Sequence, residues 1–219
     1  MEMLFLPHLR ETTLKALEGV ADGSPLLPLP RALIQLGLAA SVTSLERGAL
    51  SVAVAAAYDH GASPAQVQEV IALVSGLGVH SLMISAVVVL EEAQRRGLVS
   101  AGGALDAERQ ALWDARVGDD PFWTDFEREM PGFLRAMLIL SPDIFTGFFD
   151  YCAIPWKSGT VPARVKELIA MASDATPAHR FGPGFRVHMG NALKLGCGRA
   201  EILEALSLAA AAPTHRGTP

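Results

Sequence analysis

Apolar residues recur at spacings of three and four along most of the chain, which is the period of an amphipathic α-helix. In the carboxy-terminal part the pattern fills "PDIFTGFFDYCAIPW", "PARVKELIAMASDA" and "EILEALSLA". Pro142, Pro162 and Pro183 stand where helices are expected to begin, because the first turn of a helix does not need the N–H that proline lacks. Since no segment reads convincingly as a strand, the pattern predicts an all-α fold.

The two halves of the chain share one alignment, here called the repeat register. A single shift that places Gly61 on Gly196 lays "VAAAYDHGASPAQVQEVIALV" over "MGNALKLGCGRAEILEALSLA" without a gap. Both glycines are expected to end a helix in the left-handed conformation, which glycine adopts without strain. The repeat register predicts two tandem helical units with a pseudo-twofold repeat.

The repeat predicts a division of the chain into three parts. Residues 1–98 form the first and degenerate repeat, residues 129–219 form the second, and residues 99–128 are a polar, turn-rich linker between them. The second repeat holds most of the chemically interesting side chains. We therefore expect the functional site there.

One segment is apolar enough to raise the question of a membrane. Residues 71–90, "IALVSGLGVHSLMISAVVVL", carry no formal charge and are long enough to span a bilayer. Gly76, Gly78 and His80 interrupt the run, so we expect two buried helices that meet at a turn and no membrane partner. The amino-terminal stretch turns acidic too soon for a signal peptide, and a cytoplasmic location is expected.

Composition narrows the classes of partner. A net charge of -5 gives no basic patch for nucleic acid. Cys152 and Cys197 form no CxxC, and no HExxH-type ligand pair is present, so neither a metal nor another cofactor is expected. Small residues on long apolar helices, as in "LSVAVAAAY", predict more apolar surface than one chain can bury, and hence a homo-oligomer.

The second repeat resembles a known family. The residues that carry the resemblance are "VKELIAMASDA", then His188, then "NALKLGCGRAEILEALSLA". This order is similar to the carboxymuconolactone decarboxylase and alkylhydroperoxidase D-like superfamily. The resemblance implies an all-α, oligomeric protein in which a glutamate on one helix accompanies a histidine on the next.

The chain departs from the peroxidase members of that superfamily. Those members carry CxxC a few residues before the histidine, whereas here the same positions fall in "RFGPGF", which contains no sulfur. Thiol reduction of peroxide needs a thiolate nucleophile and a resolving partner. The branch without cysteines, which includes the decarboxylase, is therefore the better comparison.

The resemblance and the local pattern single out an acid–base pair. His188 lies near a helix amino terminus, where the macrodipole disfavours the imidazolium ion, so we expect a neutral proton acceptor. The alternative is a core histidine bonded to a backbone carbonyl. Glu167 matches the glutamate of the family, although it could also be an ordinary acid near a helix start. Asp174, two turns further along, shares its helix face.

The other candidates surround this pair. His179 is a second catalytic candidate, or else a loop histidine in water. Four further residues are candidates for substrate binding: Arg186, Asn191, His80 and Trp156. Arg186 could instead be a surface residue, His80 a capping residue and Trp156 a core residue. Arg186 has the fork of donors that would hold a carboxylate or a developing oxyanion.

Together these residues predict a cofactor-independent enzyme similar to carboxymuconolactone decarboxylase. It would perform decarboxylation, isomerisation or lactone chemistry on a small carboxylated organic substrate. Two alternatives stay open: a non-catalytic scaffold or ligand-binding protein, and a peroxidase-like redox protein using Cys152 or Cys197. The repeat register places Glu167 on Ala32 and His188 on Ala53, so we expect one working site per chain.

Overall fold

The computed structural model describes residues 7–100 and 102–216. These residues form α-helices, one short 3-10 turn and connecting loops, with no strand among them, which confirms the all-α prediction. The helices are α1 (Pro7–Ala16), α2 (Pro28–Ala40), α3 (Arg47–Asp59), α4 (Pro64–Ser75), α5 (Val79–Arg95), α6 (Ala107–Arg116), α7 (Pro121–Glu129), α8 (Phe133–Leu140), α9 (Pro142–Lys157), α10 (Ala163–Asp174), α11 (Gly182–Lys194) and α12 (Arg199–Ala210).

The chain forms two compact units. Compact unit 1 comprises the described residues up to Leu77 and from Pro155 onwards, and compact unit 2 runs from Gly78 to Ile154. This division differs from the predicted repeat boundaries because helices from both repeats pack together in compact unit 1. The predicted linker, 99–128, contains α6 and most of α7 rather than turns alone. The repeat division itself stays a prediction.

The helices of compact unit 1 follow the repeat register. It superimposes the first and last residues of α3 on those of α11, and those of α4 on those of α12. Gly61 and Gly196 both have φ near +80°, at +85° and +82°, which confirms the expected left-handed helix stops. Leu45 and Arg180, the two non-glycine residues with positive φ in the described chain, also coincide in this register.

Contacts inside compact unit 1 are reciprocal. Helix α2 packs against α3 and α4, α10 packs against α11 and α12, and α2 and α10 pack against each other. In addition α4 contacts α10, and α12 contacts α2. This crosswise packing is what a pseudo-twofold repeat requires, and it buries one continuous apolar core.

Two charge pairs follow the same crosswise pattern. Lys166 on α10 donates to Glu69 on α4 at 2.7 Å, and Arg31 on α2 pairs with Glu204 on α12. Lys166 and Glu69 are both buried, whereas the Arg31 side chain is 45% exposed. In the repeat register Arg31 coincides with Lys166, and Glu69 coincides with Glu204. The sequence analysis did not identify either pair.

Compact unit 2 contains the helix that follows the apolar run. A 3-10 turn at Gly76–Gly78 separates α4 from α5, as the expected interruption requires. The buried residues of α5 are Met83 and Ala86, whereas Ile84 and Val88 are exposed. The expectation of two buried helices is therefore wrong for α5. Apolar residues lie all around this helix, and those on one face are exposed.

The run Pro64–Arg95 has the length and composition of a membrane-crossing helix, with 28% of its most apolar window buried. The 3-10 turn lies inside that run. The absence of a membrane partner stays a prediction.

The contact between α2 and α10 depends on a glycine. A Cβ added to Gly37 would lie 2.7 Å from Ile169 Cγ2 and 3.3 Å from Val74 Cγ1. Both neighbours are branched side chains in the core, with little room to move. Gly37 therefore sets how closely the two central helices approach.

We expect Gly37→Ala to lower the free energy of unfolding by roughly 1–3 kcal/mol, the usual cost of overpacking a core. Urea denaturation followed by circular dichroism measures the change. Gly190→Ala is the matched control, because a Cβ at Gly190 meets nothing within 4 Å. It should be neutral or stabilising by up to about 1 kcal/mol through helix propensity. Equal unfolding midpoints for the two variants would contradict this account of the contact.

Candidate functional site

Helix α10 supplies the charged groups of the site. It lies in the middle of compact unit 1, and nine of its twelve residues are buried. Lys166, Glu167 and Asp174 are among these nine. A charge in such a position is costly unless it is paired or neutralised, so each of these side chains must find a partner on a neighbouring element.

Glu167 meets two side chains of α11. Its Oε2 lies 2.7 Å from His188 Nδ1, and its Oε1 accepts a hydrogen bond of 3.2 Å from Asn191 Nδ2. His188 and Asn191 are three residues apart and therefore share one helix face. Both carboxylate oxygens are thus engaged, which fixes the orientation of the imidazole ring.

The pair leaves the other ring nitrogen of His188 available. With Glu167 accepting from Nδ1–H, the neutral ring carries its lone pair on Nε2. Within the part of the chain that the structure describes, no protein group hydrogen-bonds to Nε2. The His188 side chain is 21% exposed, so the ring is not sealed in the core.

The charge state of His188 corrects an expectation. Burial lowers its pKa, but the hydrogen bond with Glu167 and the nearby carboxyl charges outweigh burial and raise the pKa above its usual value. The macrodipole argument for a neutral histidine is therefore wrong here. The physical reason is distance, because His188 lies in the second turn of α11 and a direct carboxylate contact is stronger than the helix terminus.

An indole ring covers one face of His188. The Trp156 and His188 rings are parallel to within 5°, with centroids 6.1 Å apart, in the range of offset stacking. Trp156 is 38% exposed. The structure therefore brings together four predicted site residues, Trp156, Glu167, His188 and Asn191.

A second carboxyl–histidine contact lies beside the first. His179 Nε2 is 3.6 Å from Asp174 Oδ1, and burial lowers the pKa of His179. Burial raises the pKa of Asp174 to about 8, against a smaller opposing effect of the His188 charge. Glu167, which contacts the imidazole directly, is the carboxylate that holds the Nδ1 proton of His188. A Cβ on Gly184 would overlap Asp174 Oδ2, so glycine is needed there.

Arg186 is not on the His188 face of α11. It is half-buried, two residues and hence about 200° around the helix from His188. His80 is the second residue of α5, in compact unit 2. The roles of both in substrate binding stay predictions, as does that of His179 in catalysis.

The cysteines do not show the properties of redox nucleophiles. Burial raises the pKa of Cys152 to about 11. Burial also raises the pKa of Cys197, although the Arg164 guanidinium opposes the effect. Both groups are therefore thiols at neutral pH, and a thiol is a poor nucleophile compared with a thiolate.

Comparison with known proteins agrees on one family. Residues 142–214 match the model of the carboxymuconolactone decarboxylase family. No curated protein matches the chain. A crystal structure from Burkholderia xenovorans LB400, of a protein proposed to be a gamma-carboxymuconolactone decarboxylase subunit, superposes with a TM-score of 0.72 and 28% sequence identity. The match covers 93% of this chain and 79% of that one.

The raised pKa of His188 has a measurable consequence for stability. An unfolded histidine titrates near 6.5. The ion pair with Glu167 therefore stabilises the fold fully below that pH, and its contribution is lost as the pH rises through the folded pKa. We expect Glu167→Gln to lower the His188 pKa, read from the imidazole proton resonances during an NMR pH titration. Asn191→Ala, which keeps the carboxylate, should lower it less. A His188 pKa that does not respond to Glu167→Gln would show that the pair is not charged.

Proposed function

The chain belongs to the carboxymuconolactone decarboxylase and alkylhydroperoxidase D-like superfamily, and on that premise we propose that it is a cofactor-independent acid–base enzyme. Its substrate is a small carboxylated organic molecule, and decarboxylation is the reaction that the site supports best. The observation that carries the proposal is the 2.7 Å contact between Glu167 Oε2 and His188 Nδ1, on a ring that is partly exposed.

The proposed reaction needs one group that gives a proton to carbon. The substrate carboxylate leaves as CO2, and the electron pair of the broken C–C bond enters the adjacent conjugated system as an enolate. Protonated His188 then donates its Nε2 proton to the carbon, and water returns a proton to the ring. The raised pKa of His188 favours the protonated ring that this step requires.

Glu167 supports the proton transfer without touching the substrate. It holds the Nδ1 proton and stabilises the imidazolium ion, as a carboxylate does in other histidine-based sites. Asn191 occupies the second oxygen and keeps the carboxylate from turning away. The cationic His188 also attracts an anionic substrate, and Trp156 offers a flat apolar wall beside it.

His179, beside Asp174, is suited to act as a base. Burial lowers the pKa of His179, whereas the contact with Glu167 raises the pKa of His188. Two histidines whose environments push their pKa values apart are the arrangement expected of a base and an acid. Isomerisation or lactone chemistry, which needs both, remains the second reaction class for the same site.

The redox alternative has less support than acid–base chemistry. It requires a thiolate, and the pKa values of both cysteines are raised rather than lowered. A non-catalytic ligand-binding protein would use the same residues, so only a measurement of turnover distinguishes it from an enzyme.

The direct test is turnover of gamma-carboxymuconolactone, followed by release of CO2. We expect His188→Ala and Glu167→Gln each to lower kcat by at least about 100-fold, since a positioned general acid contributes typically 10²–10⁴-fold. His60→Ala is the control, because His60 is an exposed residue that caps the end of α3. It should leave kcat unchanged.

Binding of the lactone without turnover, weakened by His188→Ala, would favour the ligand-binding alternative. Full activity of His188→Ala would rule out the proposed proton donor.

We also propose that the protein is a homo-oligomer in the cytoplasm. Support comes from α5, where Ile84, Val88 and Val89 are all more than half exposed. A free surface of this kind is costly in water and is typical of subunit contacts. Multi-angle light scattering at micromolar concentration should give a multiple of the mass of one chain. The mass of a single chain would contradict the proposal.

A further inference from the structure

Lys166 is a buried cation that the proposed reaction does not use. Its Nζ donates to Glu69 Oε1 at 2.7 Å, to the Pro155 carbonyl at 2.6 Å and to the Ser158 carbonyl at 2.7 Å. An ammonium group has three N–H donors, and all three have an acceptor here. The geometry of this group is therefore fully determined by the residues around it.

Two of those acceptors flank Trp156 in the chain. Pro155 lies inside the last turn of α9, where backbone carbonyls have no partner within the helix, and Ser158 follows the helix end. Lys166 therefore binds the backbone on both sides of Trp156. It holds the end of α9 in place at the position from which the indole extends.

The indole itself lies close to both Lys166 and His188. Lys166 Nζ is 5.9 Å from its ring centroid, and the His188 ring is 6.1 Å away and parallel to it. Cations within about 6 Å of an indole face are attracted by its quadrupole. Lys166 thus contacts the ring of Trp156 as well as the backbone of the neighbouring residues Pro155 and Ser158.

The other crosswise pair shows that packing alone does not require this arrangement. Arg31 and Glu204 occupy the corresponding positions, and Leu26 N donates to Glu204. Arg31 is largely exposed, and Ala21 stands where the second repeat has Trp156. The buried lysine with backbone acceptors is therefore found in the repeat that has the tryptophan and is absent from the corresponding position of the other repeat.

We propose that Lys166 is a positioning residue that holds Trp156 parallel to His188, and that the pair Lys166–Glu69 thereby shapes the wall of the proposed site. Glu69 fixes the lysine from α4, and Ser158 donates to the other Glu69 oxygen. The inference deepens the proposed function and rests on it, because it assigns a wall to that site. Its test uses no substrate. The positioning role of Lys166 can therefore fail while the proposed function stands, and the proposed function can fail while the positioning role stands.

The test is the ring current of Trp156 at His188. The imidazole proton resonances of His188 and the indole N–H of Trp156 are observed by NMR, with Trp156→Leu defining the His188 positions when the indole is gone. We expect Lys166→Met to move the His188 resonances to the positions that they take in Trp156→Leu. Arg31→Met is the matched control, since it removes the corresponding cation of the other pair, and it should leave them unchanged.

A purely structural role for Lys166 predicts a different result. Lys166→Met would then lower the unfolding midpoint but leave the His188 and Trp156 resonances of the folded protein where they are, which would overturn the proposal. Lys166→Met also leaves Glu69 buried without its cation and so carries a risk of misfolding. The double variant Lys166→Met/Glu69→Leu removes both charges and decides the question in the same way, because it also removes the donors to Pro155 and Ser158.

Discussion

Two consecutive charges on a buried helix are the constraint on which the rest of the structure depends. Lys166 and Glu167 are both inaccessible or nearly so, and they point to different neighbours of α10. Lys166 requires Glu69 on α4, and Glu167 requires His188 and Asn191 on α11. Removing one member of a buried pair typically costs about 3–5 kcal/mol, so these contacts fix how α10 is rotated against both neighbours.

The proposed site follows from that constraint. Once α10 is fixed, the contact between Nδ1 and Glu167 sets the orientation of the His188 imidazole. The lysine beside it holds the end of α9, and with it the indole over the imidazole. The same charges that make α10 expensive to bury thus place an acid, its carboxylate partner and an aromatic wall together.

The first repeat keeps the helices and omits this chemistry. Ala32 and Ala53, which stand where the second repeat has Glu167 and His188, are buried apolar residues. An alanine in these positions needs no polar partner. This difference supports the prediction of one working site per chain, although the repeat itself rests on register and contacts.

How much the sequence could predict depends on the range of each interaction. Helix starts and the stops at Gly61 and Gly196 are local, and the pattern predicted them. The association of Glu167 with His188 came from the family resemblance. The pair Lys166–Glu69 joins residues 97 positions apart and has no local spacing to reveal it. The exposed face of α5 was missed because a helix that is apolar all round shows no periodicity to separate inside from outside.

The direction of the pKa shift of His188 was predicted wrongly for a related reason. The macrodipole is visible in the sequence, as a histidine near a helix start, whereas the carboxylate that outweighs it comes from another helix.

The central claim is that Glu167 holds the Nδ1 proton and leaves Nε2 for chemistry. Nitrogen-15 chemical shifts of the His188 ring, measured above its pKa, test this most directly. If Glu167 holds this proton, the neutral ring carries its proton on Nδ1; a neutral ring with its proton on Nε2 would contradict the claim.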